Sequence, residues 1–526
     1  MKLGESKKQA LILSSKLTGS NVLLQFVAFP LGIVKARILG PYWLGALKIF
    51  DLIKSYSSYS QLGLLQALVR QVPIAMSKKN HAESRLIQDI VFSFNIVVTS
   101  ITIIILWGIY FCGIDFKGIL NLFRLIILTA TLVLNRLDLC LNSYMKAIGN
   151  FQLITRRTIL ISWIAPFLIV GLVIPWKLDG AIVGALIVAV IGVGIYLKEL
   201  KTFQYQWNLS WRKLLSFFSI GFKVFINKLI DSISYTLGTT IIAILLAPKF
   251  VGIYGFAMDF IFKSSMVLSM FTIMVYRHML DSRGKHGLTK GISFLKPYIQ
   301  NTMSGLLVLS TSFIVFLYFL CHLVVNLFLQ KYTEALICLP VLALGQIFFV
   351  SSILPSFCMN VSDQLEKRFF ITAFFLALHG ILDVILIRMG YGILGAAWGF
   401  TVSFILYGII LNYIVRRQIN QNFSEPILYI LKFSSISIIT FALMSYFGPK
   451  ELISFSLRSP LYLKAAYAGF DMGIKALIVI GFVIICYCAF FWKDKLANEC
   501  WSAVNFIILR AKISLFNISS ERKASS

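Results

Sequence analysis

The residues of this chain best equipped for chemistry are bases placed where bases are costly. Lys48, Lys54, Arg124, Arg136, Lys223, Lys228, Lys263, Lys296, Lys432 and Lys475 all fall inside apolar stretches long enough to cross a bilayer. A charge at the bilayer centre costs at least about 2.5 kcal/mol on insertion scales, so such side chains face water, a partner or a substrate. The acids at comparable depth are fewer: Asp51, Asp138, Asp231, Asp259 and Asp383. The apolar part of the chain therefore carries surplus positive charge, suited to holding an anion.

Helical periodicity sorts these residues into faces. Lys48, Asp51, Ser55, Ser58 and Leu62 share one face, with Lys54 at its edge. Lys223, Asn227, Asp231, Ser234 and Gly238 share another, flanked by Lys228, and Asp259 and Lys263 stand one turn apart, close enough to pair. Lys48, Lys54, Lys223, Lys228 and Lys263 are thus the candidate anion-binding residues, with Asp51, Asp231 and Asp259 as charge-pairing or ion-coupling groups. Lysine is a flexible point charge, so several can hold a compact polyanion without imposing one geometry. The bland alternative makes each Lys–Asp pair a structural bridge, but the lysines outnumber the acids. Arg124, Asn135, Arg136 and Asp138 belong to a further helix, where cavity lining is evenly balanced against packing with Asp138 paired to an arginine. Lys296, Lys432 and Lys475 sit near span ends, where snorkelling is expected. His322 and His379 lack partner spacing and read as packing residues, and Asp383 is expected to pair with Arg388 near the external surface.

The elements that must position these groups follow from composition. The chain has 526 residues, 58% of them hydrophobic and 13% charged, with mean hydropathy +0.85. That is an all-α polytopic membrane protein, because long apolar runs such as Ile96–Ile109 show no barrel-like alternation. At about 20 residues per span, the chain divides into about 14 transmembrane helices. They run at roughly 17–34, 42–69, 87–112, 118–145, 153–175, 180–198, 214–246, 250–276, 292–325, 334–360, 369–388, 392–415, 427–447 and 472–492. Lys and Arg concentrate in every second loop, which places both termini in the cytoplasm and makes the span number even. The net charge of +28 is spread over these loops rather than gathered in a basic domain, so nucleic acid is not an expected partner. The eight cysteines show no metal-ligand or redox spacing. No loop is long enough for a soluble catalytic domain, and no metal site or enzyme motif is found. The stretch Trp501–Phe516 could lie along the inner leaflet, or be a solvated tail.

Three internal echoes recur a little over 200 residues apart and in order. ILGPYWLGALKIFDLIKS (Ile38–Ser55) answers LLAPKFVGIYGFAMDFIFKS (Leu245–Ser264), sharing Pro, three residues, then Gly. SYMKAIGNFQLITRR (Ser143–Arg157) answers FCMNVSDQLEKRF (Phe357–Phe369), and DGAIVGALIVAVIG (Asp179–Gly192) answers YGILGAAWGFTVS (Tyr391–Ser403). The division expected is two six-helix lobes, 1–213 and 214–420, two extra helices over 421–492 and a basic cytoplasmic tail, 493–526. Such repeats place a substrate site between lobes that rock to alternate access.

The chain resembles polysaccharide (O-antigen/exopolysaccharide) flippases of the multidrug/oligosaccharidyl-lipid/polysaccharide exporter superfamily. The resemblance rests on Ala36–Pro73, with its LGP-x3-G opening and A-x-VR-x-x-P ending, and is supported by YMKAIGN (Tyr144–Asn150) and GILGAAWG (Gly392–Gly399). It implies a transporter of the bacterial cytoplasmic (inner) membrane, not an enzyme. Its substrate would be an undecaprenyl-pyrophosphate-linked oligosaccharide, moved from the cytoplasmic to the periplasmic leaflet for surface polysaccharide biosynthesis. The expected partners are the bilayer, that lipid-linked substrate, and a polysaccharide polymerase and glycosyltransferases. Pyrophosphate suits the lysine faces. The alternatives are a cation-coupled multidrug exporter of the same superfamily, which needs a carboxylate-dominated cavity, and a non-transporting membrane component of polysaccharide assembly. No cofactor is expected. The energy source stays open between a proton or sodium gradient acting through Asp51, Asp231 or Asp259 and the membrane potential.

Overall fold

The computed structural model describes residues 2–113, 118–199, 205–286, 296–420, 424–448 and 461–490. The 493–526 tail with Trp501–Phe516, Cys500 and residues 449–460 of the 448–471 loop lie outside them. All regular elements among the described residues are helical. In chain order they are α1 (Lys2–Tyr59), α2 (Leu64–Ser77), α3 (His81–Phe111), α4 (Leu122–Ala147), α5 (Phe151–Glu199), α6 (Trp211–Leu245), α7 (Pro248–His286), α8 (Lys296–Phe328), α9 (Thr333–Ser351), α10 (Ile353–Val361), α11 (Leu365–Leu386), α12 (Gly392–Asn420), α13 (Ser424–Phe447) and α14 (Leu461–Phe490). Among the described residues nine segments are long and apolar enough to span a membrane.

The longest helices exceed the thickness of a bilayer, and α1, α5 and the α11–α12 pair are broken. The 49 residues of α5 would reach about 73 Å if straight, more than twice a hydrocarbon core. Instead the backbone turns at Lys177 (φ 47°, ψ −120°), two residues after Pro175, and the legs fold back on each other. Gly184 packs against Ile169, and a Cβ on Gly180 would strike the carbonyl oxygen of Leu172. The pair α11 and α12 repeats this design through a one-turn π-helix, Ile387–Tyr391, with Gly390 (φ 94°) and Gly392 (φ 54°) making the reversal. In α1 the break is Gly40 (φ 68°, ψ 173°), followed by Pro41, whose fixed φ restarts the helix.

The chain forms two units, Met1–Gly255 and Phe256–Ser526. In the first, α5 packs on α1 and α4, and α2 packs on α3, α4 and α6. A core of Leu64, Leu68, Val91, Leu141 and Tyr196 fills the space between them. In the second, α9 packs on α8, α12 and α13, α11 packs on α12, and α14 packs on α8. Phe348, Phe400 and Phe433 are among its fully buried side chains.

The second span departs from the expected continuous helix over 42–69. α1 ends at Tyr59, and the chain turns through Leu62 (φ 51°) and Gly63 (φ 89°) before α2 begins. Polar side chains draw off the backbone here. Ser60 Oγ donates to the Ser57 carbonyl at 2.6 Å, and Ser58 Oγ donates to that of Ser55 at 2.7 Å. Leu62 therefore does not continue the Lys48 face.

The sequence echoes have structural counterparts. α4 and α10 end in the same turn: Asn150 N donates to Met145 O, and Gln364 N donates to Met359 O, each at 3.0 Å. Gly149 and Asp363 hold the left-handed position in that turn. The segments opening at Asp179 and Tyr391 both lead the return leg of a hairpin.

Candidate functional site

The Pro-x3-Gly motifs meet in the first unit. A Cβ on Gly45 of α1 would strike the carbonyl oxygen of Pro248 at the start of α7, and one on Gly252 would strike that of Pro41. The approach is reciprocal, glycine of one motif against proline carbonyl of the other. It fixes the two helices at backbone contact and sets the start of each charged stretch.

Beyond Gly45 on α1 lies the first charged pair. Lys54 Nζ stands 2.6 Å from Asp51 Oδ1, with the lysine 23% and the carboxylate 48% exposed. Lys48 and Lys35 also contribute to the field at Asp51. The stem of Lys48 lies over Gly255, where a Cβ would be 3.5 Å from its Cγ. Tyr56 Oη lies 2.7 Å from Thr240 Oγ1, tying this leg to α6. On α6, Asn227 and Asp231 are half-buried and Ser234 is buried. Lys223 and Lys228 lie on the same helix; their side chains, like that of Lys296, are outside the described ones. On α7, Asp259 is exposed and Lys263, one turn later, is half-buried. Directly after Lys263, Gln346 of α9 donates through Nε2 to Ser264 Oγ at 3.1 Å and to Ser265 Oγ.

The fourth helix is engaged in packing. Arg124 forks onto Asp179 (Nε to Oδ1 2.6 Å, Nη2 to Oδ2 3.3 Å), donates to Ile119 O and lies over the Trp43 ring. Buried Arg136 donates to Ser57 O, to Ser60 Oγ at 2.6 Å and to Asn95 Oδ1 at 3.3 Å, pinning the break after α1. Asp138 pairs with an arginine as expected; it is Arg157, at 2.5 Å. Asn135 is half-buried.

Three expectations are corrected. His379 does have a partner, because its Nε2 lies 3.1 Å from Asp383 Oδ2 one turn along α11, both fully buried. Asp383 consequently does not pair with Arg388, which is exposed on the π-turn where the hairpin reverses. Lys475 does not reach for the interface alone but binds Asp471 at 2.7 Å. The i, i+4 spacing of both pairs was present in the sequence. Arg157 and Asp179 carried no such signal, since their partners are 19 and 55 residues away. His322 packs edge-on against Tyr318, as expected of a core residue.

Residues 34–279 match the polysaccharide biosynthesis protein family. That stretch contains every lysine of the candidate site. None of the curated proteins matches the chain in sequence. Among solved structures, an inward-facing multidrug resistance MATE family transporter of the MOP superfamily aligns with TM-score 0.62 and 13% identity, over 76% of this chain and 95% of that one. The lipid II flippase MurJ in its inward closed conformation aligns with TM-score 0.56 and 14% identity, over 88% of this chain and 99% of that one. A point mutant of a MATE protein gives TM-score 0.53 at 12% identity, over 79% of this chain and 96% of that one. At these identities the likeness is one of fold: the chain is a multi-pass membrane protein with the fold of this transporter superfamily.

Proposed function

We propose that this protein is a flippase that carries undecaprenyl-pyrophosphate-linked oligosaccharide across the bacterial cytoplasmic membrane by alternating access. The observation that carries the reading is charge in an apolar setting. Five lysines, Lys48, Lys54, Lys223, Lys228 and Lys263, stand against three acids, Asp51, Asp231 and Asp259, on helices of the family-matched stretch. A drug-cation exporter would need the opposite balance. Pyrophosphate is held through charge-assisted hydrogen bonds from ammonium groups, and the acids temper the field so that release stays possible. The polymerase and glycosyltransferases of polysaccharide assembly are its proposed partners.

The architecture proposed is 14 spans in lobes 1–213 and 214–420 plus two further helices, with both termini cytoplasmic. It is supported by the two hairpins, which make paired spans of α5 and of α11 with α12, and by the break at Gly40.

The test is alanine replacement of Lys54, Lys228 and Lys263, one at a time. Each is expected to abolish polysaccharide export with protein abundance near normal, and arginine at the same positions to restore part of it. Normal export by all three alanine variants would overturn the cationic mechanism.

A further inference from the structure

In the second unit, α11 buries a polar stripe: Arg368, Thr372, His379 and Asp383. His379 and Asp383 are the most enclosed, at 1% and 0% exposed. Phe400 and Phe404 of α12 close over the imidazole with ring centroids 5.8 Å away. Gly399 makes room for the carboxylate, since a Cβ there would strike Asp383 Oδ1. An ion enclosed this way is costly unless paired or neutralised. One proton on either group leaves the pair with no net charge; removing it leaves a bare carboxylate among phenylalanines.

The surroundings leave that proton to these two residues. From α12 the facing groups are Phe400, Phe404 and Tyr407, whose hydroxyl lies 3.3 Å from Thr372 Oγ1 and 3.5 Å from Ser356 Oγ of α10. Cys358 of α10 points to Met279 instead. Arg388 and Tyr391 of the π-turn are exposed. Arg368, at the far end of α11, donates to Asn360 Oδ1 at 3.1 Å. His379 is the basic group paired with Asp383. Among the described residues no third His, Cys, Asp or Glu joins them to complete a metal site.

We propose that His379 and Asp383 form an occluded proton-binding site, loaded and unloaded as the transporter changes conformation, so that proton movement through the second unit drives transport. The coupling rests on the transport reading; the proton site itself does not. The full chain in phosphatidylethanolamine/phosphatidylglycerol vesicles would be followed by infrared difference spectroscopy between about pH 5 and pH 8, the range in which histidine titrates. A protonated-carboxyl C=O band is expected in the wild type, lost in Asp383→Asn and shifted in His379→Gln. The histidine variant keeps the carboxylate and serves if the asparagine variant does not accumulate. Identical difference spectra for wild type and both variants would overturn the site. In the same vesicles an imposed proton gradient should accelerate flipping of lipid-linked oligosaccharide in the wild type and not in Asp383→Asn. Flipping that ignores the gradient in both would overturn the coupling. Because the spectral titration needs no substrate, absence of flipping with the band intact would count against the substrate reading alone.

Discussion

Asp138 and Arg157 join α4 to the first leg of α5 through a partly buried contact of 2.5 Å, with the guanidinium also 5.1 Å over the buried Tyr196 ring. Removing one partner strands the other, at a cost of about 3 kcal/mol, whereas removing both leaves no uncompensated charge. Arg157→Ala is therefore expected to lower the thermal midpoint in detergent by several degrees, and Asp138→Ala with Arg157→Ala to recover most of it. No recovery would mean that the arginine acts through its packing on Tyr196. Lys54 and Asp51 differ from this pair, because the carboxylate is about half exposed and the contact is local to one helix. The spacing of such local pairs is present in the sequence, at Lys54–Asp51 and at His379–Asp383, although reading His379 as a packing residue passed over the second. It is silent on Arg124–Asp179 and Arg136–Asn95, which depend on how distant helices dock.

At the level of elements, breaks do as much as helices. Pro175, Gly390 and Gly392 lie where α5 and the α11–α12 pair reverse, and these stops were legible because glycine and proline leave the helix for known backbone reasons. The interruption after Tyr59 was not legible, since it needs Arg136, from a helix more than seventy residues later, to hold Ser57 O. The Pro-x3-Gly echo was visible as a pattern, but its purpose was not. The structure gives it as mutual backbone contact between α1 and α7. A side chain at either glycine must push these helices apart. Ala46, fully buried beside Gly45, reports on this: Ala46→Cys should resist an impermeant thiol reagent in the native background and react in Gly252→Val. Equal protection in both would show that this contact does not close the junction.

For the whole molecule, composition and alternating loop charge led to a polytopic helical bundle, and the fold agrees. Hydropathy marks nine candidate spans among the described residues, and α1 and α7 are not among them; their lysines and acids interrupt the apolar runs on which such a reading depends. Loop charge adds an orientation that can be measured. Cysteines at Ser77 and Ser282 should stay unlabelled by impermeant reagents in intact cells, while one at Ser459 should react; labelling at Ser282 from outside would invert the topology. The central claim is movement of a lipid-linked oligosaccharide between leaflets. The most direct measurement reconstitutes the purified protein into vesicles with undecaprenyl-pyrophosphate-linked oligosaccharide in both leaflets, then adds an impermeant enzyme that cleaves the glycan. With the protein present, cleavage should pass the outer-leaflet half and approach the whole pool, and Lys54→Ala should hold it at half. Cleavage that stops at half with the wild-type protein, while the vesicles remain sealed, would contradict the account.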